Sequence, residues 1–185
     1  MRVTSGELKG RKIFEVKDKR IRETLDKVRE SLFNSLRGEI EGKIFYDLYA
    51  GSGAVGIEAL SNKAKISIFV DKNIFSIRTI NENLKNLKLS DRAKIFRMDV
   101  IRFLKTKECI KGDFIFLDPP YEFNLGKRTL EILNLSNITK EETIILYEHS
   151  KRERVSDNFE IYKSLKIGDT VIDFLRRRIW EKRKK

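Results

Sequence analysis

The chain has 185 residues, of which 40 are Lys or Arg and 28 are Asp or Glu, so its formal net charge is +12. This length predicts one domain with a substantial core, and the charge predicts a polyanionic partner; we favour nucleic acid over a merely solvated lysine surface. A single cysteine, Cys109, and a single histidine, His149, exclude an internal disulfide and a Cys/His metal site. Because no apolar run is long enough to span a bilayer, we expect a soluble cytoplasmic protein, and we expect a monomer.

The chain opens with a basic arm. Turn signals at residues 5–6 and 9–10 predict a small β-hairpin over residues 2–16. Up to Arg22 the arm carries eight basic residues against three acidic ones, so we interpret it as a phosphate-contacting segment. The candidate contacts within it are Lys9, Arg11, Lys12, Arg20 and Arg22.

A helix is predicted from Thr24, with Gly38 closing it. Apolar residues recur three and four positions apart, at Leu25, Val28, Leu32 and Leu36. The opposite face carries three charges, at Lys27, Arg29 and Glu30. We add Thr24, Lys27 and Arg29 to the candidate phosphate contacts, although an ordinary solvated helix face explains these charges equally well.

A strand, a glycine turn and a helix follow residue 42. Residues 44–49 predict a buried strand, residues 50–56 a loop with three glycines, and residues 57–60 the start of a helix. The next predicted strand, residues 66–70, ends at Asp71, which lies 20 positions after Gly51. This is the spacing expected for a carboxylate that binds a ribose.

The glycine pattern fits two kinds of nucleotide site. Gly51, Gly53 and Gly56 also match the turn of a nicotinamide or flavin dinucleotide fold. Such an enzyme needs a second nucleotide half, and the glycine signature does not recur after residue 90. Asp47, just ahead of the loop, suits a cofactor with a cationic ammonium better than one with a pyrophosphate. These features favour S-adenosylmethionine.

The next segment predicts a second helix and a third strand. A helix after Asp71 places apolar residues at helical intervals, which predicts core positions at Ile74, Ile77, Ile80, Leu84 and Leu87. A strand over residues 93–96 brings Asp99 to the same sheet edge, where its carboxylate could accept from an adenine amine. A helix N-cap for residues 100–105 is an equally good role for Asp99.

Asp118-Pro119-Pro120-Tyr121 follows a short apolar strand over residues 114–117. Two successive prolines stiffen the loop, so the carboxylate of Asp118 and the carbonyl of Pro119 can be aimed beside the ring of Tyr121. Two acceptors and a stacking face suit a planar nucleobase amine. Accepting both of its N–H groups from one side would direct the nitrogen lone pair at an electrophilic methyl.

The remaining chain completes the sheet. Residues 143–148 predict a fifth strand, and residues 159–167 and 170–180 predict a hairpin around Gly168-Asp169. His149 is interpreted as a turn residue after the fifth strand and not as a catalyst. Trp180 is expected to anchor the last strand, and the basic tail after it to fray.

Four of these motifs resemble a known family. They are Gly6 to Lys12, residues 22–34, residues 47–60 and residues 118–121. The chain looks like a class I S-adenosylmethionine-dependent methyltransferase and closely resembles the RsmD family, which methylates a guanine N2 amine in bacterial 16S ribosomal RNA. Two positions depart from the family pattern: Glu23 replaces its usual proline, and Asp71 replaces its usual glutamate.

The resemblance implies an α/β fold. We expect a Rossmann-like class I sheet of seven strands whose last hairpin is antiparallel, with helices on both faces. Residues 1–42 would form an RNA-binding extension of hairpin and helix, and residues 43–185 the catalytic domain.

The resemblance also implies a set of site residues. The expected contacts to S-adenosylmethionine are Asp47, Tyr49, Ala50, Gly51, Ser52, Gly53, Asp71, Lys72, Asp99, Val100 and Asp118. The target base would be handled by Asp118, Pro119, Pro120 and Tyr121. The phosphate contacts named above would then bind 16S RNA.

Two alternatives stay open. The first alternative is an adenine N6 methyltransferase of DNA or RNA, because the tetrapeptide recognises an amine and not a particular base. A non-catalytic RNA-binding assembly factor with a methyltransferase fold is the other. The 42-residue extension is small for DNA sequence recognition, which favours folded RNA held by ribosomal proteins, in the 30S subunit or a late precursor, as the substrate.

Overall fold

A computed structural model describes residues 1–17, 24–106, 109–120, 124–150 and 157–178. The helices are α1 (Asp26–Ser35), α2 (Ala54–Ser61), α3 (Ile74–Asn86), α4 (Val100–Leu104) and α5 (Leu125–Asn134). The strands are β1 (Ile44–Leu48), β2 (Ile66–Asp71), β3 (Ala93–Arg97), β4 (Phe114–Leu117), β5 (Ile144–Ser150), β6 (Phe159–Ile167) and β7 (Thr170–Arg177). A 3-10 turn covers Ser90–Arg92. Within these ranges we find no helix whose length and apolar character would suit a membrane crossing.

The seven strands form one sheet in the order β3-β2-β1-β4-β5-β7-β6. Strands β1 to β5 run parallel, and β7 pairs antiparallel with both β5 and β6. The predicted Rossmann-like sheet with an antiparallel final hairpin is confirmed. The strand order reverses between β1 and β4, so the carboxyl ends of these strands meet where open α/β sheets bind ligands.

Alternating side chains give the sheet two apolar faces. On β1, Phe45 packs into a cluster with residues of α1, α2 and α3, such as Leu32, Ile57 and Ile80. Its neighbour Tyr46 packs into a second cluster, with residues of α4 and α5. The expected helices on both faces are therefore present, and both clusters hold β1 rigidly beneath the loop that follows it.

The N-terminal hairpin is shorter than predicted. Instead of two strands, the described residues show a single antiparallel bridge between Arg2 and Lys12. The backbone of Val3 still pairs across the hairpin with Gly10 and Arg11. The pairing does not continue beyond Val3, because the N–H groups of Thr4 and Ser5 donate to the carboxylate of Glu58 on α2. The segment is nevertheless fixed to the core, where the side chains at Val3 and Ile13 are buried.

Arg29 of α1 is fully buried, at 0% exposure. Its guanidinium donates to the carbonyls of Thr24 and Arg2, at 2.6 and 2.7 Å. It pairs with the carboxylate of Asp26 at 2.8 Å and lies 3.6 Å from that of Glu58, which is also 0% exposed. The prediction that Arg29 lies on the exposed face of α1 and contacts RNA is therefore wrong.

His149 lies inside β5 and not in a turn after it. Its Nε2 is 2.9 Å from a carboxylate oxygen of Asp173 on β7, and its Nδ1 is 2.8 Å from the carbonyl oxygen of Ser150. The strand continues past the predicted end because β7 pairs with it as far as Ser150. His149 thus joins two strands in the interior, and its predicted place in a turn is wrong.

Asp113 connects β1 and β4 at the amino ends of these two strands. Its carboxylate accepts from the N–H of Ile44 at 2.8 Å and pairs with the ammonium of Lys140 at 2.5 Å. Partial burial raises the pKa of Asp113, but the hydrogen bonds from Ile44 and Lys140 and the nearby lysine charges outweigh it and hold that pKa below its ordinary value. The ionised form is therefore the one that the fold stabilises.

We expect Asp113→Asn to lower the urea midpoint of unfolding at pH 7. Because the pKa is lower in the folded state, this stabilisation is present above the unfolded-state value of about 3.9 and is lost as the pH falls through the folded-state value. The difference from wild type should therefore shrink below about pH 4. Urea titrations at pH 7 and below about pH 4 check this, with the exposed Asp91→Asn variant as the control. A difference that does not change with pH would contradict it.

Candidate active site

The loop after β1 has an unusual backbone conformation. Tyr49 has a φ of +61°, which is uncommon for a residue with a side chain, and Gly51 and Gly53 follow with positive φ angles. The N–H of Gly53 donates to the carbonyl of Ala50 at 2.7 Å, which closes a tight turn. This turn aims the chain away from the sheet and into α2, leaving a cleft at the carboxyl end of β1.

Asp47 lies at the base of this cleft and is 2% exposed. Its carboxylate accepts from the N–H of Gly56 at 2.8 Å, at the start of α2. A Cβ at Gly56 would lie 2.3 Å from Cε1 of Phe69 and 3.1 Å from the carboxylate of Asp47. The third glycine of the motif therefore permits close packing of α2 on the sheet and sets the position of the Asp47 carboxylate.

Asp71, at the carboxyl end of β2, is tied to the glycine loop. Its carboxylate accepts from the N–H groups of Gly51 and Asn73, at 2.9 and 2.7 Å. Burial raises the pKa of Asp71 above its ordinary value, although these two hydrogen bonds and the charge of Lys72 act in the opposite direction. A partly desolvated carboxylate gains from further hydrogen-bond donors, such as the hydroxyls of a sugar.

Asp118 follows β4 and faces the same cleft as Asp47. The cleft is lined by residues from three separate parts of the chain, namely Thr24, Asp47, Tyr49, Ala50, Gly51, Ala54, Val55, Phe116 and Asp118. Pro119 is buried and Pro120 exposed, so the Asp-Pro-Pro turn leaves the sheet at this point. The topology thus brings the residues predicted to hold a cofactor and the residue predicted to hold a base into one site.

Several predicted cofactor contacts lie outside the lining of this cleft. Ser52 is fully buried, and its carbonyl oxygen accepts from the side chain of Asn83 at 3.0 Å. Val100 is buried in the core, while Lys72 is exposed beside Asp71. Asp99 accepts from the N–H of Arg102 at 3.1 Å and caps α4, as its alternative role predicted.

The predicted RNA contacts are spread over the arm and α1. Lys9, Arg11, Lys12 and Lys27 are exposed, whereas Thr24 is half-buried and lines the cleft itself. Three predicted site residues, Arg20, Arg22 and Tyr121, lie outside the described residues, as does Trp180.

Two residues that support the site were missed by sequence reasoning. The amide of Asn83 on α3 binds both backbone groups of Phe14 and the carbonyl of Ser52, so it connects the arm to the glycine loop. Its signal was a polar residue at a core position, three residues after Ile80. The hydroxyl of Thr129 on α5 lies 2.7 Å from that of Tyr49, and no local pattern marks this contact.

The side chains at this site offer oxygen atoms that accept hydrogen bonds. Among the described residues, no cluster of His, Cys, Asp and Glu could hold a metal ion. The cleft instead combines two carboxylates, from Asp47 and Asp118, with the backbone of the glycine turn. Such a set suits cationic and N–H or O–H donating groups.

Comparison with known proteins agrees with this architecture. A family model described as Conserved hypothetical protein 95 matches residues 1–176. The chain is 40% identical over 174 residues to YlbH, a candidate rRNA methyltransferase of Bacillus subtilis, and the match covers 93% of this chain and 90% of that protein. It is 34% identical over 153 residues to ribosomal RNA small subunit methyltransferase D of Haemophilus influenzae, with 82% and 79% covered.

A solved structure gives the same result. That of yhhF, a candidate methyltransferase of Escherichia coli, superposes with a TM-score of 0.84 at 27% identity and covers 96% of this chain and 97% of its own. The resemblance found in the motifs of the sequence is thus confirmed over nearly the full length. The chain belongs to the RsmD family of methyltransferases.

Proposed function

We propose that this protein transfers a methyl group from S-adenosylmethionine to the exocyclic N2 amine of a guanine in 16S ribosomal RNA. The observation that carries the proposal is the shared cleft, in which Asp118 from the end of β4 faces the Asp47 and Gly51 side of the glycine turn. The RNA named in the relatives, together with the net charge of +12, supports ribosomal RNA as the substrate.

The residues at the cleft fit the proposed cofactor. When bound, S-adenosylmethionine supplies an electrophilic methyl on a sulfonium. Asp47, buried at the base of the cleft, would face its ammonium with a carboxylate that the N–H of Gly56 holds in place. Asp71, already beside Gly51, would accept from the ribose hydroxyls.

Asp118 and Pro119 would orient the target amine. The Asp118 carboxylate accepts one N–H and the carbonyl of Pro119 accepts the other, so that the nitrogen lone pair points toward the cofactor side of the cleft. Tyr121 would stack on the base, which costs a few kcal/mol to unstack from its neighbours unless it is already unpaired. Positioning and preorganised acceptors, and not a strong base, would lower the barrier.

Residues 1–42 would hold the RNA, while residues 43–185 perform catalysis. Lys9, Arg11, Lys12 and Lys27 are exposed and can reach phosphates, and Arg20 and Arg22 stay candidate phosphate contacts from the sequence. The two segments share one apolar core, since Val3 and Leu32 pack in the same cluster as Phe45 of β1. RNA bound by the arm would therefore be held in a fixed position relative to the cleft.

The test uses 30S particles that lack the modification. We expect these particles, mixed with the protein and methyl-labelled S-adenosylmethionine, to take up label in their 16S RNA, and bare 16S RNA to take up less. Equal labelling of both would contradict the assembled particle as substrate. Cofactor binding in calorimetry without any labelling would instead favour a non-catalytic assembly factor.

A further inference from the structure

A second concave surface, which we call the α3 groove, lies between the arm and α3. It has a volume of about 510 Å³, larger than the cleft of the candidate active site, and falls within the range of ligand-binding cavities. Phe75 on α3 stands in it with 47% of its surface exposed, and Phe14 of the arm lines it half-buried. Two aromatic rings thus meet solvent in one concave site.

The groove is electropositive. Lys12, Lys17 and Arg78 line it and are exposed. Of its two carboxylates, that of Glu15 is paired with the N-terminal ammonium at 2.8 Å, which leaves Glu82 against the three cations. The ammonium of Lys12 lies 5.4 Å from the centre of the Phe14 ring, so charge and aromatic surface are adjacent.

Hydrogen bonds connect the α3 groove to the candidate active site. Asn83, fully buried, accepts from the N–H of Phe14 at 2.7 Å and donates to the carbonyl of Ser52 in the glycine loop at 3.0 Å. At the other end of the groove, Phe75 lies in the first turn of α3, four positions after Asp71, whose carboxylate accepts from the N–H of Gly51. A ligand in the groove would therefore lie beside the loop expected to hold the cofactor.

We propose that the α3 groove binds an unpaired nucleotide of the substrate RNA next to the one that is methylated. Its base stacks on Phe75, and the phosphates on either side contact Lys12, Lys17 and Arg78. Exposed aromatic rings among cations are how proteins hold single-stranded RNA, whereas paired RNA does not offer its base faces. The inference rests on the proposed function for its substrate, but the groove can be tested separately.

The stacking part is tested with the full-length protein and a short fluorescein-labelled oligouridylate in fluorescence anisotropy. Phe75→Leu keeps the apolar volume but removes the ring, and we expect affinity to fall about 10-fold. Phe75→Tyr should bind like wild type, as should Leu135→Ala, which alters an exposed apolar residue elsewhere. Equal affinity of the Leu and Tyr variants at position 75 would overturn the proposal.

The phosphate part is tested by the salt dependence of the same binding. For a single strand, each lost phosphate contact makes the slope of log affinity against log salt shallower by about 0.7, so Lys12→Gln with Arg78→Gln should change it by about 1.4. The matched pair Lys94→Gln with Lys166→Gln removes the same charge from exposed sites on β3 and β6. An equal change for both pairs would assign the effect to net charge and overturn the proposal.

Methyl transfer distinguishes this inference from the function on which it rests. If wild type labels no RNA while Phe75→Leu still weakens oligouridylate binding, the proposed function fails and the groove stands. If wild type labels 16S RNA and Phe75→Leu matches it in both binding and KM, the groove fails alone. We expect a raised KM for RNA with kcat little changed.

Discussion

Replacing Asp118 with alanine is expected to lower kcat for methyl transfer by at least about 100-fold, the scale of losing one preorganised group that acts on the reacting atoms. Asp118 lies at the stiff end of β4 and faces the cleft, where its carboxylate would hold one hydrogen of the target amine. Without it the lone pair is no longer aimed. Cofactor affinity should stay nearly intact, because Asp47 and Asp71 remain.

Two measurements check this expectation. Single-turnover methyl transfer gives the rate, and isothermal titration calorimetry gives the affinity for S-adenosylmethionine. Asp91→Ala, an exposed carboxylate on the 3-10 turn, is the control and should behave as wild type. A normal rate for Asp118→Ala would remove this residue from the mechanism, and a parallel loss of cofactor binding would place it with the cofactor instead.

Replacing Glu58 with alanine is expected to cost about 3–5 kcal/mol of the free energy of unfolding. The Glu58 carboxylate is completely buried, accepts from the backbone and hydroxyls of Thr4 and Ser5, and neutralises Arg29. Within the part of the chain that the structure describes, its removal leaves the buried guanidinium with Asp26 as the one charged partner. It also removes the acceptor of two backbone N–H groups of the arm.

Chemical denaturation followed by circular dichroism measures this loss. Glu41→Ala is the control, because Glu41 is exposed and its ion pair with Lys63 spans 3.7 Å at the surface. Such a pair contributes about 0–1 kcal/mol, so the control should hardly differ from wild type. A loss of less than 1 kcal/mol for Glu58→Ala would contradict the view that this buried pair fixes the arm to α2.

The sheet could be predicted because its signals are local. The apolar run of β4 between Gly112 and Asp118, and the glycine turn after β1, each contain the information that defines them. Chain order then brought Asp47, Asp71 and Asp118 to one sheet edge, since parallel strands share their carboxyl ends.

The errors arose where distant residues decide the environment. Arg29 neighbours the core residue Val28, and nothing near it in sequence shows that Glu58 of another helix will neutralise it. The same holds for His149, whose partner Asp173 lies 24 positions away, on β7. Burial of a polar group depends on its partner, and that partner is known only once the chain is folded.

Helix α3 shows that apolar periodicity alone does not predict which residues are buried. Of the five apolar residues predicted as core in α3 and just after it, Ile80, Leu84 and Leu87 are buried, but Ile74 and Ile77 are only half-buried. Both half-buried residues lie in the first two turns of α3, and neither lines the α3 groove. The helical repeat predicts which side of a helix is apolar. It does not predict how far along the helix other elements bury that side.

The identity of the methylated nucleoside tests the central claim most directly. Particles lacking the modification would be treated with the protein and S-adenosylmethionine carrying a deuterated methyl, and their 16S RNA digested and analysed by nucleoside mass spectrometry. We predict that the label appears in N2-methylguanosine, at a single guanine. Label in N6-methyladenosine, or in a ring-methylated or ribose-methylated nucleoside, would contradict capture of a guanine amine by Asp118 and Pro119.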